Sequence, residues 1–295
     1  MPFKPFSIVL PAKNEGQNLI NLLPELKEQY PQAEIIVVDD GSTDDTAEVC
    51  RSLDVICVQH PYSMGNGAAV KTGARNARFN EVVFLDADGQ HDPADIGALI
   101  GKLEEGFEMA VGARASSTHA SFGRRLANGI YNRMASIMTG HKIDDLTSGF
   151  RAVRKRHFLR FLYLFPNGFS YPTTCTMAFF RSGLPVCYVP IHARRRSGKS
   201  HIRLVEDGFR FLMIILKVGA LFSPMRLFLP LSILLFATGM TYYGYTYINF
   251  HRFTNMSMLL FTTSILTFLI GILAELVSAL HYKDAGTERR QTQRD

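Results

Sequence analysis

Val82-Val83-Phe84-Leu85-Asp86-Ala87-Asp88-Gly89-Gln90-His91 is the stretch on which the fold turns. An apolar, β-branched run ends in two carboxylates, a glycine and an amide. The run predicts a strand over Glu81–Leu85, and its polar end predicts a strand-end loop. If the strand stays extended, Asp86 and Asp88, two apart, face the same way. Two like charges that close are unfavourable without a cation beside them. Oxygen ligands suit Mg²⁺ or Mn²⁺, and Mg²⁺ is typically held by one or two carboxylates plus substrate phosphates. Gln90 adds a neutral oxygen, so Asp88 and Gln90 are candidate metal ligands and the loop expects a diphosphate. His91 reads as a structural residue.

Working outward, the same alternation recurs. Strands are predicted over Ser7–Leu10, Glu34–Val38, Val55–Val58 and Met109–Gly112, and helices over Gln17–Gln29, Asp44–Arg51, Asn66–Arg78 and Ala94–Glu105. This βαβα order predicts a mostly parallel sheet with helices on both faces, whose ligands lie beyond the carboxyl ends of the strands. The other strand ends are polar too: Pro11-Ala12-Lys13-Asn14-Glu15 and Asp39-Asp40-Gly41-Ser42. A turn or a helix N-cap explains Asp39-Asp40 taken alone. Three such ends on one rim argue for a binding edge.

Beyond residue 200 the composition changes. The chain has 295 residues, 32 basic and 26 acidic side chains, a net charge of +6 and no tryptophan. Its mean hydropathy of +0.05 averages two unlike parts. Leu227–Ile248 and Met256–Ala274 carry no charge; a helix as long as the first spans roughly 33 Å, enough for a bilayer core of about 30 Å. Neither run shows a polar stripe, which argues against a buried hairpin of a soluble core. Arg194, Arg195, Arg196, Lys199, Arg203, Arg210, Lys217 and Arg226 precede the first run, and Lys283, Arg289, Arg290 and Arg294 follow the second, against Arg252 alone between them. That asymmetry predicts both ends in the cytoplasm. Tyr242, Tyr243, Tyr245, Tyr247, Phe250 and Phe253 suit an interfacial aromatic belt. Residues 201–222 mix Ile202, Val205, Phe209, Leu212 and Ile215 with charged groups and predict amphipathic helices on the membrane surface. Glu275 has no evident role.

Several classes are excluded. The apolar run Phe6–Ala12 is too short for a signal peptide. Cys50, Cys57, Cys175 and Cys187 have no Cys-x-x-Cys spacing, and no His-Glu-x-x-His or Gly-x-Ser-x-Gly occurs. The basic residues cluster beside the apolar runs, so headgroups and phosphates account for them and nucleic acid does not.

Residues 6 to about 203 resemble inverting GT-A glycosyltransferases, specifically polyprenyl-phosphate sugar synthases of the dolichyl-phosphate mannose synthase type. The resemblance rests on the three strand ends, Gly65-Asn66-Gly67-Ala68, Gly112-Ala113-Arg114, Thr147-Ser148-Gly149-Phe150-Arg151 and Arg195-Arg196-Ser197-Gly198-Lys199-Ser200, in matching order. It implies a Rossmann-like α/β GT-A domain. Pro11, Ala12, Asn14, Glu15, Asp39, Asp40, Asp86 and Ala87 would then bind the nucleotide sugar, with Arg195 and Ser200 closing over its phosphates. Asp88 and Gln90 would hold Mg²⁺ or Mn²⁺; Arg114, Ser148 and Arg151 would face the acceptor phosphate; Asp86, Asp88 and Arg114 would be the catalytic residues.

The chemistry of the acceptor has its own logic. A sugar hydroxyl needs a general base. A lipid monophosphate is largely dianionic at pH 7 and needs cations to bind and orient it. The region from 114 to 160 is rich in them. If Gly123–Met138 is helical, Arg124, Asn128, Tyr131 and Asn132 share one face and Leu126, Ile130, Met134 and Ile137 another. The polar face is either solvated or grips phosphate through Arg124 or Arg125, and the second is favoured here.

The expected organisation is a catalytic domain over 1–200, interfacial helices over 201–222, two transmembrane helices over 223–282 and a cytoplasmic tail over 283–295. The expected activity is inverting transfer of one sugar, a hexose such as mannose or glucose, from a GDP- or UDP-sugar to undecaprenyl or dolichyl phosphate. The expected setting is a bacterial inner membrane, with homo-oligomers allowed. A processive polysaccharide synthase would resemble its kin in a Gln-x-x-Arg-Trp motif, which a chain without tryptophan lacks. A transferase acting on a sugar hydroxyl would need a base, where the chain has Asp144-Asp145. A non-catalytic nucleotide-sugar scaffold would have no need of Asp86, Asp88 and Gln90.

Overall fold

The computed structural model describes residues 3–114, 122–168, 170–191, 213, 216, 219–220 and 222–291, with the backbone alone for 122–128, 130 and 281–291. Residues 201–212 of the expected interfacial segment lie outside the described residues. The chain forms two compact units: residues 1–133 with 142–208, and residues 134–141 with 209–295.

The first unit is built on a seven-stranded sheet. In chain order it contains β1 (Ser7–Ala12), α1 (Gly16–Gln29), β2 (Glu34–Asp39), α2 (Thr46–Ser52), β3 (Ile56–Gln59), α3 (Asn66–Asn76), β4 (Glu81–Phe84), α4 (Ile96–Glu104), β5 (Met109–Arg114), α5 (Phe122–Thr139), β6 (Arg151–Arg154), α6 (Lys155–Arg160), α7 (Tyr171–Arg181) and β7 (Val186–Ile191). The strand order is β3-β2-β1-β4-β6-β5-β7. Strands β1 to β4 pair in parallel, as does β5 with β7; β6 alone runs antiparallel to both its neighbours.

Apolar periodicity accounts for the packing. Ile8 and Leu10 of β1 and Leu19, Leu22, Leu23 and Leu26 of α1 belong to one buried core cluster. The α1 leucines recur at helical spacing and so occupy one face. Full burial of each such side chain stabilises by about 1.5–3 kcal/mol. Connections from β1 lead to one side of the sheet and later return to its other side, so β1 and β4 meet at a topological switch point, where a crevice opens beyond their carboxyl ends.

The second unit contains α8 (Pro224–Phe250) and α9 (Asn255–Gln291). Pro224–Phe250 and Asn255–Leu280 are long and apolar enough to cross a membrane. The helices do carry a polar stripe, narrower than sequence inspection reveals. Ser232, Gly239 and Thr246 on α8, and Ser257, Ser264, Gly271 and Ser278 on α9, are buried at successive intervals of one heptad. A 3.5-residue repeat keeps such a seam facing its partner helix. Ser232 Oγ donates to the Ser264 carbonyl at 3.0 Å and Ser264 Oγ to the Ser232 carbonyl at 2.9 Å. A Cβ on Gly271 would lie 2.8 Å from that of Phe228, so only glycine permits this approach. The Met225 N–H at the start of α8 donates to the Glu275 carboxylate at 3.3 Å. Glu275 therefore satisfies a helix N-terminus, where a negative charge is favoured. The last turn of α5 belongs to this unit: Ser223 Oγ donates to the Met138 carbonyl and Arg226 Nη1 to that of Ile137.

Candidate active site

A cleft of about 450 Å³ lies beyond the ends of β1, β2 and β4, lined by Pro11, Ala12, Lys13, Glu15, Asp40, Asp86, Ala87 and Asp88, with Ser63, Gly65, Asn66 and Ala69. The last four and Lys13 were absent from the expected binding set. Lys13 follows β1, Asn66 and Ala69 open α3, and Ser63 and Gly65 lie in the turn before it, whose place in the wall depends on a distant contact, through Asp40.

Asp40 is almost wholly buried and accepts four hydrogen bonds. His60 Nδ1 (2.7 Å) and the Met64 N–H (2.8 Å) reach Oδ1, while Ser63 Oγ (2.8 Å) and the Gly65 N–H (2.9 Å) reach Oδ2. Burial pushes its carboxyl up, but the bonds from His60, Met64, Ser63 and Gly65 outweigh burial and hold it below the usual carboxylate range. Asp40 thus shapes residues 60–65 as the cleft wall. Asp39, which is buried, and Asn14, which is exposed, are not among the residues that line the cleft. Asp39 accepts from the Ser42 N–H (2.8 Å) and from Gln59 Nε2 (3.2 Å). Asn14, at φ 56°, accepts the Thr43 N–H through its Oδ1 at 2.9 Å. Asparagine tolerates this left-handed geometry better than most residues.

Strand β4 ends at Phe84, and Asp86 and Asp88 sit in the loop and turn that follow. The expected extended geometry is corrected: both carboxylates line the cleft because the chain turns, not because strand residues alternate. Asp88 accepts the Gln90 N–H at 3.2 Å and also the Gln90 side-chain amide. Asp88 and Gln90 thus converge, and rotation of the amide by 180° would present two oxygens to a cation. Among the described residues no three His, Cys, Asp or Glu side chains form a closed metal cage. The donor set fits Mg²⁺ or Mn²⁺ held by one or two protein oxygens and completed by a diphosphate. His91 is buried, stacks on Phe150 at 4.9 Å and places Nε2 3.5 Å from Asp86.

The loop before β6 closes against these carboxylates. A Cβ on Gly149 would lie 2.9 Å from Asp86 Oδ2. Arg114, at the end of β5, donates Nε to Asp145 Oδ2 (2.9 Å), and Nη2 to Asp145 Oδ1 (3.3 Å) and Thr147 Oγ1 (3.1 Å). Desolvation lowers its guanidinium's pKa, but Asp145, and then Asp86 and Asp88, raise it overall. Burial pushes Asp145 up, and the Arg114 hydrogen bond and charge, with Thr147, bring it below the usual range.

Arg151 lies elsewhere than expected. It is fully buried, donates Nη1 to the Pro172 carbonyl (3.1 Å) and Thr176 Oγ1 (3.3 Å), donates Nη2 to the Ser148 carbonyl, and stands over the Tyr171 ring. A guanidinium with no exposed surface supports the 148–150 loop from behind. Ser148 is also buried, its Oγ donating to the Phe150 carbonyl at 3.4 Å. Arg195 and Ser200, and the side chains of Arg124 and Arg125, lie outside the described residues.

Residues 223–280 match the GtrB C-terminal hairpin family. Glycosyltransferase AglJ of Haloferax volcanii is 25% identical over 93% of this chain and 94% of its own length. Polyprenol monophosphomannose synthase of Mycolicibacterium smegmatis is 29% identical over 62% of this chain and 75% of its own. Undecaprenyl-phosphate 4-deoxy-4-formamido-L-arabinose transferase of Proteus mirabilis is 32% identical over 52% of this chain; the match spans only 49% of that relative's length. Among solved structures, glucosyl-3-phosphoglycerate synthase from Mycobacterium tuberculosis, in complex with Mn²⁺, UDP and glucosyl-3-phosphoglycerate, superposes with a TM-score of 0.59 at 20% identity, covering 74% of this chain and 80% of that one. The shared architecture is the mixed α/β GT-A fold. Residues 7–162, more than half of the chain and all of the strand ends around the cleft, match glycosyl transferase family 2, and the chain belongs to that family.

Proposed function

We propose that this chain transfers one sugar from a nucleotide sugar to a polyprenyl phosphate, with inversion, at a membrane surface. One observation carries the reading: among the described residues a cation, Arg114, stands beside the carboxylates of the cleft, and the nearby carboxylates Asp144 and Asp145 are each paired with a cation. Asp145 is paired with Arg114, which with Thr147 outweighs burial and holds its carboxyl below the usual carboxylate range. Asp144 is exposed and paired with Lys142 at 2.9 Å. A base able to deprotonate a sugar hydroxyl works best with a pKa near the operating pH. A phosphate dianion needs no base, and a guanidinium suits it. The names of the Mycolicibacterium and Proteus relatives, which specify polyprenol and undecaprenyl phosphate, support the same acceptor class.

In this reading a phosphate oxygen attacks the anomeric carbon, the nucleoside diphosphate departs from the opposite face, and the configuration inverts. Asp88 and Gln90 would hold Mg²⁺ or Mn²⁺, which would supply positive charge to the leaving diphosphate. The solved neighbour's Mn²⁺ and UDP support a divalent cation here. Pro11, Ala12, Glu15, Asp40, Asp86 and Ala87 contact the donor directly, with Asp39 and Asn14 holding the neighbouring loops that shape its pocket. Arg195 and Ser200 close over the donor phosphates. Arg114, with Arg124 or Arg125, orients the acceptor, and the buried Arg151 and Ser148 fix the loop that leads to Gly149. The two apolar helices anchor the chain so that a cytoplasmic catalytic unit meets its lipid substrate at the headgroups, in a bacterial inner membrane.

The test is a panel of purified full-length protein, Mn²⁺ or Mg²⁺, a polyprenyl phosphate or a glycolipid with free hydroxyls, and GDP-mannose, UDP-glucose or UDP-N-acetylglucosamine. Lipid mass spectrometry should detect a polyprenyl-phosphate hexose. Sugar on the hydroxyl acceptor and none on the phosphate would overturn the proposal.

A further inference from the structure

We infer that Asp145 is a positioning residue that sets how Arg114 meets the acceptor phosphate; this rests on the acceptor assignment proposed above. A guanidinium has two donor edges suited to bidentate binding of an oxyanion, Nε with Nη2 and Nη1 with Nη2. Asp145 occupies the Nε–Nη2 edge with both carboxylate oxygens, at 2.9 and 3.3 Å. Thr147 Oγ1 accepts a further bond from Nη2 at 3.1 Å. Among the described residues Nη1 has no partner, and the arginine side chain is 39% exposed. Only the outer end of the fork is therefore offered to a ligand, in a fixed direction.

The anchor is itself anchored. Asp145 Oδ1 accepts the Thr147 N–H and hydroxyl, each at 3.1 Å. Asn132 of α5 spans the segment, its Nδ2 donating to the Asp144 carbonyl (2.6 Å) and its Oδ1 accepting the Leu146 N–H (3.1 Å). Asp145 is itself buried. The same loop continues to Gly149, against Asp86. Asp145 thus ties the direction of the acceptor cation to the loop that meets the donor carboxylate.

The two consequences of removing Asp145 have opposite signs, which makes the role measurable. Asp145→Asn keeps the shape and deletes a negative charge near the phosphate, so ground-state attraction to a dianion persists or grows. The freed guanidinium no longer holds one direction, and loss of alignment at the reacting centre lowers the rate. Asp145→Asn and Asp145→Ala should leave KM for the polyprenyl phosphate unchanged or lower, and reduce kcat by about 30-fold. Arg114→Ala should raise that KM, and adding Asp145→Ala to it should cost less than threefold more. Binding of UDP or GDP with Mn²⁺, followed by calorimetry, should stay within twofold for Asp145→Asn. A kcat within threefold of the parent, or an equal loss from Asp145→Ala with and without Arg114, would overturn the inference. The parent enzyme is measured alongside: if it makes no product from lipid phosphate, the acceptor assignment itself fails.

Discussion

In the sheet unit the buried side chains are Ile8, Leu10, Leu19 and Leu23, all with no exposed surface, whereas in the hairpin they are Ser232, Ser257 and Ser264, while Leu234 and Leu273 are each 63% exposed. The two units invert each other. In water, apolar area drives the chain together and the polar rim is left for ligands. Between lipid tails, which are as apolar as leucine, that drive vanishes, and small residues with hydroxyl-to-carbonyl bonds let the helices approach. One chain solves packing twice, according to its solvent, and keeps its chemistry on the polar rim of the first unit.

The largest expected effect isolates that rim. Asp88→Ala should lower transfer on the order of a thousandfold, with unchanged circular dichroism and thermal unfolding; an active, folded variant would refute the metal assignment. Gly149→Ala comes next. Its methyl would crowd the Asp86 carboxylate and move the loop, and transfer should fall roughly 100-fold while calorimetry shows UDP or GDP binding within a few-fold of the parent. Equal loss of donor binding would mean that the loop serves the donor instead.

Stability measurements sharpen the inversion itself. Leu23→Ala, in the sheet core, should cost about 2–5 kcal/mol. Gly271→Leu should cost about 1–3 kcal/mol by forcing α8 and α9 apart, and Leu234→Ala, on the outer face of α8, less than about 0.5 kcal/mol. Denaturant unfolding in detergent micelles checks the order. A larger loss at Leu234 than at Gly271 would contradict the seam.

The smallest effect is on pH dependence. The Asp40 and Asp145 carboxyls hold protons more weakly in the folded protein than in the unfolded chain. Their stabilisation is complete above the ordinary carboxylate pKa of about 4 and disappears as the pH falls through their lowered values. The parent's thermal midpoint should therefore drop on acidification below about pH 4, and less steeply in Asp40→Asn.

Much of the first unit was legible because local signals sufficed. β1 to β5 are short β-branched runs with turn residues between them, and each falls within two residues of its expected place at either end. β6 was missed because Arg151-Ala152-Val153-Arg154 reads as part of a basic cluster. It becomes a central strand by inserting between β4 and β5, with Arg151 in register with Phe84 and Val111. A buried guanidinium there needs the Pro172 carbonyl and Thr176 from α7, contacts about twenty residues away that no local pattern reports. The hairpin seam escaped notice because its serines and glycines, one per heptad, scarcely perturb an apolar run.

Sequence alone established an alternating α/β domain, a polar rim at its strand ends, two apolar spans and the residue types for a metal and a phosphate. These follow from periodicity and from what carboxylates and guanidinium groups do wherever they stand. Only the tertiary structure decided which of them line the cleft. It turned Asp40 into the organiser of the cleft wall, sank Arg151 behind the loop before β6, bound one edge of Arg114 to Asp145 and gave Glu275 a helix terminus to cap. A polar group's role depends on which partners have already taken its hydrogen bonds, and those partners are brought together only when the chain folds.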